Sequence, residues 1–232
     1  MPGLDALTAG PGQTDQRDAR HAVGGLLAVQ GPSALDVRTG VLHAPGAAQL
    51  ITGTTRTGPK MSVLIGVHVG VGSRGAANGP YLGPTLEAPL EVDVDLAPAS
   101  GSRIDVVYEK QRDTTSGVPT PDAAPGPLYG VLTGQVSTGT PNKPDLSTIV
   151  GATELGTVTV AAGATATNVM GVTIANTARL TVARLPALAQ ARGVQVDWRP
   201  FLLAPIFKQQ GMTQGPFLGH PPKLKYMWRD LE

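Results

Sequence analysis

Two glycine-rich runs have spacings that occur in phosphate-binding loops. Residues 53–58, GTTRTG, space two glycines as a phosphate loop does, but Pro59 stands where that motif has lysine, and Lys60 follows one position late. A phosphate loop needs consecutive backbone N–H groups directed inward and then a helix, and proline removes one of those groups. Residues 70–75, GVGSRG, fit the pattern GxGxxG but continue into Ala-Ala-Asn-Gly-Pro, which does not start a helix. We predict that neither run binds a nucleotide and that the second is a loop.

Histidines and nucleophile motifs give little indication of catalysis. The histidines His21, His43, His68 and His220 are scattered, and none has a partner at metal-ligand spacing. No GxSxG sequence marks a nucleophilic serine. The sequence leaves open a glycosidase-like pair of carboxylates, but the aromatic residues that would line its groove mostly avoid the middle of the chain. We predict that the protein is not an enzyme and that it uses no cofactor.

Three acidic residues follow one another at every second position. Glu91, Asp93 and Asp95 would share one face of a strand. Such a row could hold a calcium ion, but no DxDxDG-type loop accompanies it. We favour the alternative that the row is the solvated face of an edge strand.

Charge and hydropathy exclude several classes of partner. Charged residues make up 15% of the chain, against about 25% in an average soluble domain. The formal net charge of +1 creates no field that would concentrate nucleic acid or anionic lipid, so we expect neither as a partner. No run of about 18 apolar residues is present, and the N-terminus lacks the pattern of a signal peptide. Because neither feature is present, we expect synthesis in the cytoplasm. Because the chain has few charged residues, we expect much of its surface to contact other proteins.

The elements that must position these residues are short strands. Glycine and proline number 30 and 21 of 232 residues, and turn formers in this proportion favour many strands joined by turns. The clearest strand is residues 62–71, where every second residue is Val or Ile. Further strands are predicted at 92–96, 104–108, 129–136, 155–160 and 168–174, with a loop at 73–83, a polar connection at 113–127 and a helical piece at 177–192 that Pro186 would break or kink. The prediction is a mainly β domain over residues 38–195, a β-sandwich or small barrel.

Each end of the chain carries an extended arm. In the N-terminal arm, residues 1–37, Thr14 is a candidate N-cap for a helix over residues 15–23 that Gly24 and Gly25 would end. This arm either frays or orders against a partner.

The C-terminal arm, residues 196–232, is rich in proline and carries six of the nine aromatic residues. An extended segment cannot bury spaced aromatics on itself, so they must contact the β-domain or another chain. We favour a contact between chains, with these interface residues: Trp198, Phe201, Phe207, Phe217, Tyr226 and Trp228.

Two segments, residues 90–113 and 138–168, carry a family resemblance. The residues that match are Arg103, Ile104, Asp105, Val106 and Val107, then Gly139, Thr140, Pro141 and Pro144, then Leu155, Val158, Thr159, Val160, Ala162, Gly163, Ala164 and Thr165. In order and spacing, they resemble the β-domain of minor tail proteins of actinobacterial phages, found in tail-tip, baseplate and fibre-attachment components. The resemblance covers residues 38–175. Ala161 departs from it, because the family often has proline there, and the C-terminal arm has no counterpart.

The resemblance implies a structural role in a virion. The protein would be an oligomeric adaptor, with a trimer favoured, that holds or attaches fibres at the tail tip or baseplate and contacts other tail proteins. Arg103 and Asp105 would lie on the polar face of their strand and pair across strands or subunits. Two alternatives stay open: a module that binds a host-surface glycan through exposed aromatics near Tyr81 or Tyr129, and a capsid decoration protein.

Overall fold

The computed structural model of the chain describes residues 16–33, 35–42, 49–115, 117–179 and 193. These residues form one α-helix, α1 (Gln16–Gly24), and ten β-strands. The strands are β1 (Gly40–Leu42), β2 (Ile51–Gly53), β3 (Met61–Ile65), β4 (His68–Ser73), β5 (Pro80–Leu86), β6 (Leu90–Val94), β7 (Ser102–Arg112), β8 (Gly126–Leu132), β9 (Ala152–Ala161) and β10 (Val172–Ala175). Short 3-10 helices cover Ala76–Asn78 and Leu146–Thr148.

The strands form three antiparallel sheets, with the orders β1-β4-β5, β2-β3-β6 and β10-β9-β7-β8. The domain is therefore mainly β and sandwich-like, as the sequence predicts. None of the three sheets closes into a barrel among the described residues. The long strand β7 pairs with both β8 and β9 and so forms the centre of the largest sheet.

The main core lies between the sheet β2-β3-β6 and the four-stranded sheet. Met61, Val63 and Ile65 of β3 are fully buried, and they alternate along the strand as period two requires. Buried residues of the facing strands complete this core, among them Ile51, Val94, Val107, Leu155, Val158 and Val160. Fully burying each such aliphatic side chain contributes about 1.5–3 kcal/mol, so this cluster dominates the stability of the domain.

A bulge in β9 allows Leu155 to join this core. Val107 pairs with Gly156 and Tyr108 with Glu154, so Leu155 is the extra residue between them. A bulge residue shifts the alternation of the strand by one. Leu155 and Val158 therefore both reach the core although they are three positions apart.

The single strand predicted at residues 62–71 is wrong, because the chain turns at Gly66 and Val67. β3 belongs to the sheet β2-β3-β6, whereas β4 belongs to β1-β4-β5. The turn is held by a hydrogen bond from the Gly66 N–H to the Leu50 carbonyl at 2.7 Å, and the Val67 side chain is 55% exposed. An alternating run of Val and Ile shows where strands form but not where one strand ends and the next begins.

Several other predicted boundaries differ from the structure. The loop predicted at 73–83 contains the start of β5, because Pro80 is the first residue of an edge strand, where a missing N–H costs little. β8 begins at Gly126, inside the predicted connection, and β10 begins only at Val172. Of the predicted helix at 177–192, residues 177–179 have no regular structure and the rest lie outside the described residues.

Helix α1 forms where the sequence predicts it, and it contacts its own domain. Arg17 Nε donates to the carbonyl of Ala77 at 2.7 Å, and Arg20 Nε donates to the carbonyl of Asn78 at 2.8 Å. Residues 16–24 thus contact this chain's own domain, and the predictions for the arm over residues 1–37, fraying or ordering against a partner, stay predictions. None of the described helices has the length and hydropathy of a membrane span.

Candidate functional site

Four loops meet at one end of the sandwich because the strands are antiparallel. Met61 pairs with Val94, so the loops before β3 and after β6 are neighbours. Ser102 pairs with Ala161 and also bridges to Ser137, which brings the start of β7, the end of β9 and the chain after β8 to the same end. We call this surface the loop end and define it as residues 54–60, 95–101, 133–139 and 162–171.

The loop end exposes apolar side chains. Leu96 is 49% exposed, Val136 54% and Val169 37%, and Met170 is exposed over 97% of its surface. Almost none of the Met170 side chain is therefore covered by the residues that the structure describes. All four residues lie in loops at the same end of the domain, and a group of exposed apolar side chains is a candidate surface for contact with protein.

The same surface contains a cavity of about 480 Å³. The described residues of its walls come from three of the four loops, and none of them is charged: Thr57, Gly58, Leu96, Ala97, Pro98, Ala99, Gly163, Ala164 and Thr165. The volume is within the range of sites that accept a side chain or a small ligand.

The charged groups beside the loop end are in ion pairs. Arg56 contacts the carboxylates of Glu91 and Asp93, and Lys60 Nζ lies 3.0 Å from Asp95 Oδ1. The hydrogen bond from Lys60 lowers the pKa of Asp95, with a further contribution from Thr133. The acidic row is thus the solvated face of the edge strand β6 and its continuation, as the sequence predicts, and each acid has a basic partner.

Arg103 and Asp105 hold two of these loops onto β7. Arg103 Nε donates to both carboxylate oxygens of Asp105, at 2.9 and 3.0 Å, and its two Nη atoms donate to the carbonyls of Leu96 and Asp95, both at 2.6 Å. Asp105 also accepts from the Gly134 N–H at 2.9 Å. The pair therefore fixes the backbone of the β6–β7 loop and of the chain after β8.

The predicted surroundings of Arg103 and Asp105 were wrong. The two residues share one face of the strand, as expected, but their side chains are 4% and 0% exposed. In this single chain the ion pair is between the two residues themselves, along β7, and not across strands. Mutual pairing satisfies both charges, which permits their burial.

The loop between β9 and β10 is held by side-chain contacts to the loop before β3. The Thr54 N–H donates to Thr167 Oγ1 at 2.8 Å, and the Asn168 N–H donates to the Thr54 carbonyl at 3.3 Å. Thr167 Oγ1 also donates to the Ser62 carbonyl, and the side chains of Thr167 and Ser62 are almost fully buried. The exposed Val169 and Met170 therefore extend from a loop with fixed ends.

A second polar cluster lies in the interior, away from the loop end. His68 Nε2 lies 2.7 Å from Glu109 Oε2, and His68 Nδ1 lies 2.8 Å from the Gly66 carbonyl. The two side chains are 0% and 1% exposed, and the ring of Tyr129 meets the His68 ring edge-on at 6.0 Å. Because a carbonyl can only accept, Nδ1 carries a proton, and the Nε2 to Oε2 contact shares a second one.

Both members of this pair have raised pKa values. Burial alone would lower the pKa of His68, but the hydrogen bonds to Glu109 and to the Gly66 carbonyl, with the charge of Glu109, outweigh it. Burial raises the pKa of Glu109 despite the hydrogen bond from His68. Burial and the charge of Glu109 raise the pKa of Tyr129 to about 12. The pair resembles a general base and its orienting acid, but it is closed to solvent and cannot contact a substrate.

The glycine-rich run at residues 70–75 serves this interior cluster. A Cβ at Gly70 would lie 1.9 Å from Glu109 Oε1, so the missing side chain leaves room for the carboxylate. The GxGxxG spacing of this run occurs in phosphate-binding loops, but the group that the run accommodates here is a carboxylate from β7. The run also lies largely in β4 and is not the loop that we predicted.

A polar groove lies between α1, β5 and the end of β7. It has a volume of about 510 Å³, and the Arg20 guanidinium lies 4.8 Å from the centre of the Tyr81 ring in its wall. Tyr81 donates to Asp113 Oδ2 at 2.7 Å. Burial opposes the ionisation of Asp113, but hydrogen bonds from Thr115 and Tyr81 and the charge of Arg20 outweigh it and lower its pKa to about 2.

Among the described residues, this groove has no exposed aromatic ring of the kind that a glycan site would use. Tyr81 is 9% exposed and covered by Arg20. The hydroxyl of Tyr129 is buried, and its ring contacts His68. The exposed aromatics that the glycan alternative predicts are therefore not found at these two positions.

The remaining predicted residues give no further site. The six C-terminal aromatics, Trp198, Phe201, Phe207, Phe217, Tyr226 and Trp228, lie outside the described residues, and their interface role stays a prediction. In the part of the chain that the structure describes, no three His, Asp or Glu side chains are grouped so that they could hold a metal ion. No known protein family, curated protein or solved structure matches the chain.

Proposed function

We propose that the chain is a structural component of a bacteriophage tail, an oligomeric adaptor that holds or attaches fibres at the tail tip or baseplate. The starting point is the resemblance of residues 90–113 and 138–168 to minor tail proteins. In this molecule the first of these segments contains all of β6 and β7, and the second contains β9. The resembling residues therefore make the centre of the largest sheet.

The observation that carries the proposal is the construction of the loop end. Arg103 and Asp105, which carry part of the resemblance, use their charges to hold loops that expose Leu96 and Val136. In this proposal the buried ion pair has a structural task, which is to hold the backbone of the loops that form the binding surface. An exposed apolar end on a domain of low charge suits contact with protein.

Rigid support of the loop end suits an adaptor. Binding costs conformational entropy when loops must become ordered on contact. Here the loops are already held by Arg103, Asp105 and Thr167 in the single chain. The surface is preorganised, so contact with a neighbouring tail protein requires little further ordering of these loops.

Labelling of intact particles tests this proposal. Antibodies raised against the purified chain and coupled to gold would be applied to virions produced by the genome that encodes it. We expect label at the distal end of the tail, in electron micrographs of particles whose tails are intact. Label distributed over the head would replace the proposal with a capsid decoration protein, and purified particles that lack the chain in both blots and micrographs would overturn it.

A further inference from the structure

We propose that the loop end is a self-association site, in which the exposed Met170 of one copy occupies the uncharged cavity of a second copy of this chain. The inference deepens the proposed adaptor function, because it assigns the surface and the partner for assembly. It rests on the described residues and does not use the C-terminal arm.

The protruding side chain and the cavity belong to the same surface. The β9–β10 loop supplies Gly163, Ala164 and Thr165 to the cavity wall, and a few residues later it supplies Met170 to solvent. Two copies that face each other with their loop ends can each offer a side chain and a cavity. If each copy inserts its Met170 into the other, the contact gives a two-fold dimer; if each copy inserts it into the next, the contact gives a closed ring.

The chemistry of the two parts matches. A Met side chain is apolar, unbranched and adaptable in shape, and Met is enriched at protein interfaces. The cavity wall has backbone, methyl and proline groups and no charged residue, and its volume of about 480 Å³ exceeds that of one side chain. An apolar side chain entering this cavity leaves no charge desolvated without a partner.

Charge favours a second copy over a charged partner. Two identical surfaces repel each other where each carries an unpaired charge of the same sign near the symmetry axis. The charged residues of these four loops are Arg56, Lys60 and Asp95, and each already has an oppositely charged neighbour in its own chain. The loop end therefore presents no uncompensated field to an identical surface.

Cross-linking between engineered cysteines tests the contact directly, since the chain contains no cysteine. One preparation carries Met170→Cys, and a second preparation, with a tag of different mass, carries Ala99→Cys in the cavity wall. After mixing and mild oxidation, the proposal predicts a disulfide-linked heterodimer of distinct mass. The matched control replaces Ala99→Cys by Val67→Cys, because Val67 is 55% exposed but lies at the opposite end of β3.

Association of the uncoupled chain gives the second readout. Met170→Lys should weaken self-association by about tenfold or more, as expected for an interface anchor, whereas Met170→Leu should retain it. Both substitutions are at a residue that is 97% exposed, so the fold is unaffected, which circular dichroism would check.

A cross-linking yield no higher for Ala99→Cys than for the Val67→Cys control would overturn the inference. So would self-association that Met170→Lys leaves unchanged, since the contact would then lie elsewhere. Failure of the inference and failure of the adaptor function are separable. If label lies on the tail but the purified chain is a monomer, the self-association contact is wrong and the adaptor function stands. If the purified chain cross-links as predicted but is absent from particles, the adaptor function is wrong and the self-association contact stands.

Discussion

The carboxylate of Glu109 lies in the interior of the sandwich, where it meets His68. The contact joins β7 of the four-stranded sheet to β4 of the sheet β1-β4-β5, so one proton-sharing pair connects two sheets. The other carboxylate oxygen, Glu109 Oε1, has no hydrogen-bond partner among the described residues, which makes the fully deprotonated pair costly. The pair therefore makes the stability of the domain depend on pH.

The pH dependence has a definite sign. The pKa of His68 is raised above 6.5 and that of Glu109 above 4.5, so the folded chain retains protons that the unfolded chain releases. The contribution of His68 is complete below pH 6.5 and is lost as the pH rises through its folded pKa; the Glu109 shift has the same sign from pH 4.5 upward. We expect the free energy of unfolding, measured with urea, to fall as the pH rises from 6 to 9.

Glu109→Gln isolates the contribution of the pair. The substitution removes the charge at nearly constant volume. We expect the free energy of unfolding at pH 6 to be lower than that of the wild-type chain by about 1–3 kcal/mol, and to fall less than the wild-type value between pH 6 and 9. Glu87→Gln, at an exposed position between β5 and β6, is the control and should leave both quantities unchanged. An undiminished pH dependence in Glu109→Gln would show that the pair is not its source.

Arg103→Lys tests the support of the loop end. Lysine keeps the charge but loses the planar arrangement that reaches Asp105 and two carbonyls at once, so we expect a loss of about 2–4 kcal/mol in the free energy of unfolding. Arg112→Lys is the matched control on the same strand, because Arg112 makes longer bonds of 3.3 Å near the surface. Equal effects of the two substitutions in urea unfolding would argue against the supporting role of Arg103.

At the scale of elements, period-two patterns indicated most strands but not their partners. Val63 and Ile65 are buried as the pattern predicts, but the turn at Gly66 separates them from the rest of the run. After that turn, the inward positions of β4 include His68 and Gly70, which a single strand would direct to the other face. Pairing with strands that are distant in sequence determines which face of β4 points inward. Such pairing cannot be predicted from the residues of β4 alone.

The candidate site was only partly predictable for the same reason. Alternation correctly put Arg103 and Asp105 on one face, but it could not say that loops from elsewhere cover that face. The acidic row on β6 was predictable because a solvated edge needs no distant partner. Met170 was missed, since no pattern marks one apolar loop residue as exposed.

A side chain outside the strands holds the edge of β2. Asn176 Oδ1 accepts from the Ile51 N–H at 2.6 Å, and Asn176 Nδ2 donates to the Ile51 carbonyl at 3.2 Å. Asn176→Ala should lower the free energy of unfolding by about 1–2 kcal/mol, because the buried Ile51 backbone loses both partners. Thr173→Ala, on the exposed face of β10, is the control, and an effect of Asn176→Ala no larger than its effect would contradict this role.

At the scale of the whole molecule, the described residues combine a self-contained core with a loop end that exposes Leu96, Val136, Val169 and Met170. The described residues all belong to one unit, and their buried charges are used to join its strands and loops. The composition predicts a surface with few charges, and the loop end is such a surface, because Arg56, Lys60 and Asp95 are the charged residues of its four loops. The central claim is therefore that this end is an assembly surface.

The molar mass in solution tests that claim most directly. We predict that light scattering of the purified chain gives a multiple of 23.8 kDa at high concentration, that Met170→Lys shifts the mass towards the monomer and that Val67→Lys does not. A wild-type chain that stays at 23.8 kDa over the whole concentration range, or a Met170→Lys variant with the wild-type mass, would contradict the account.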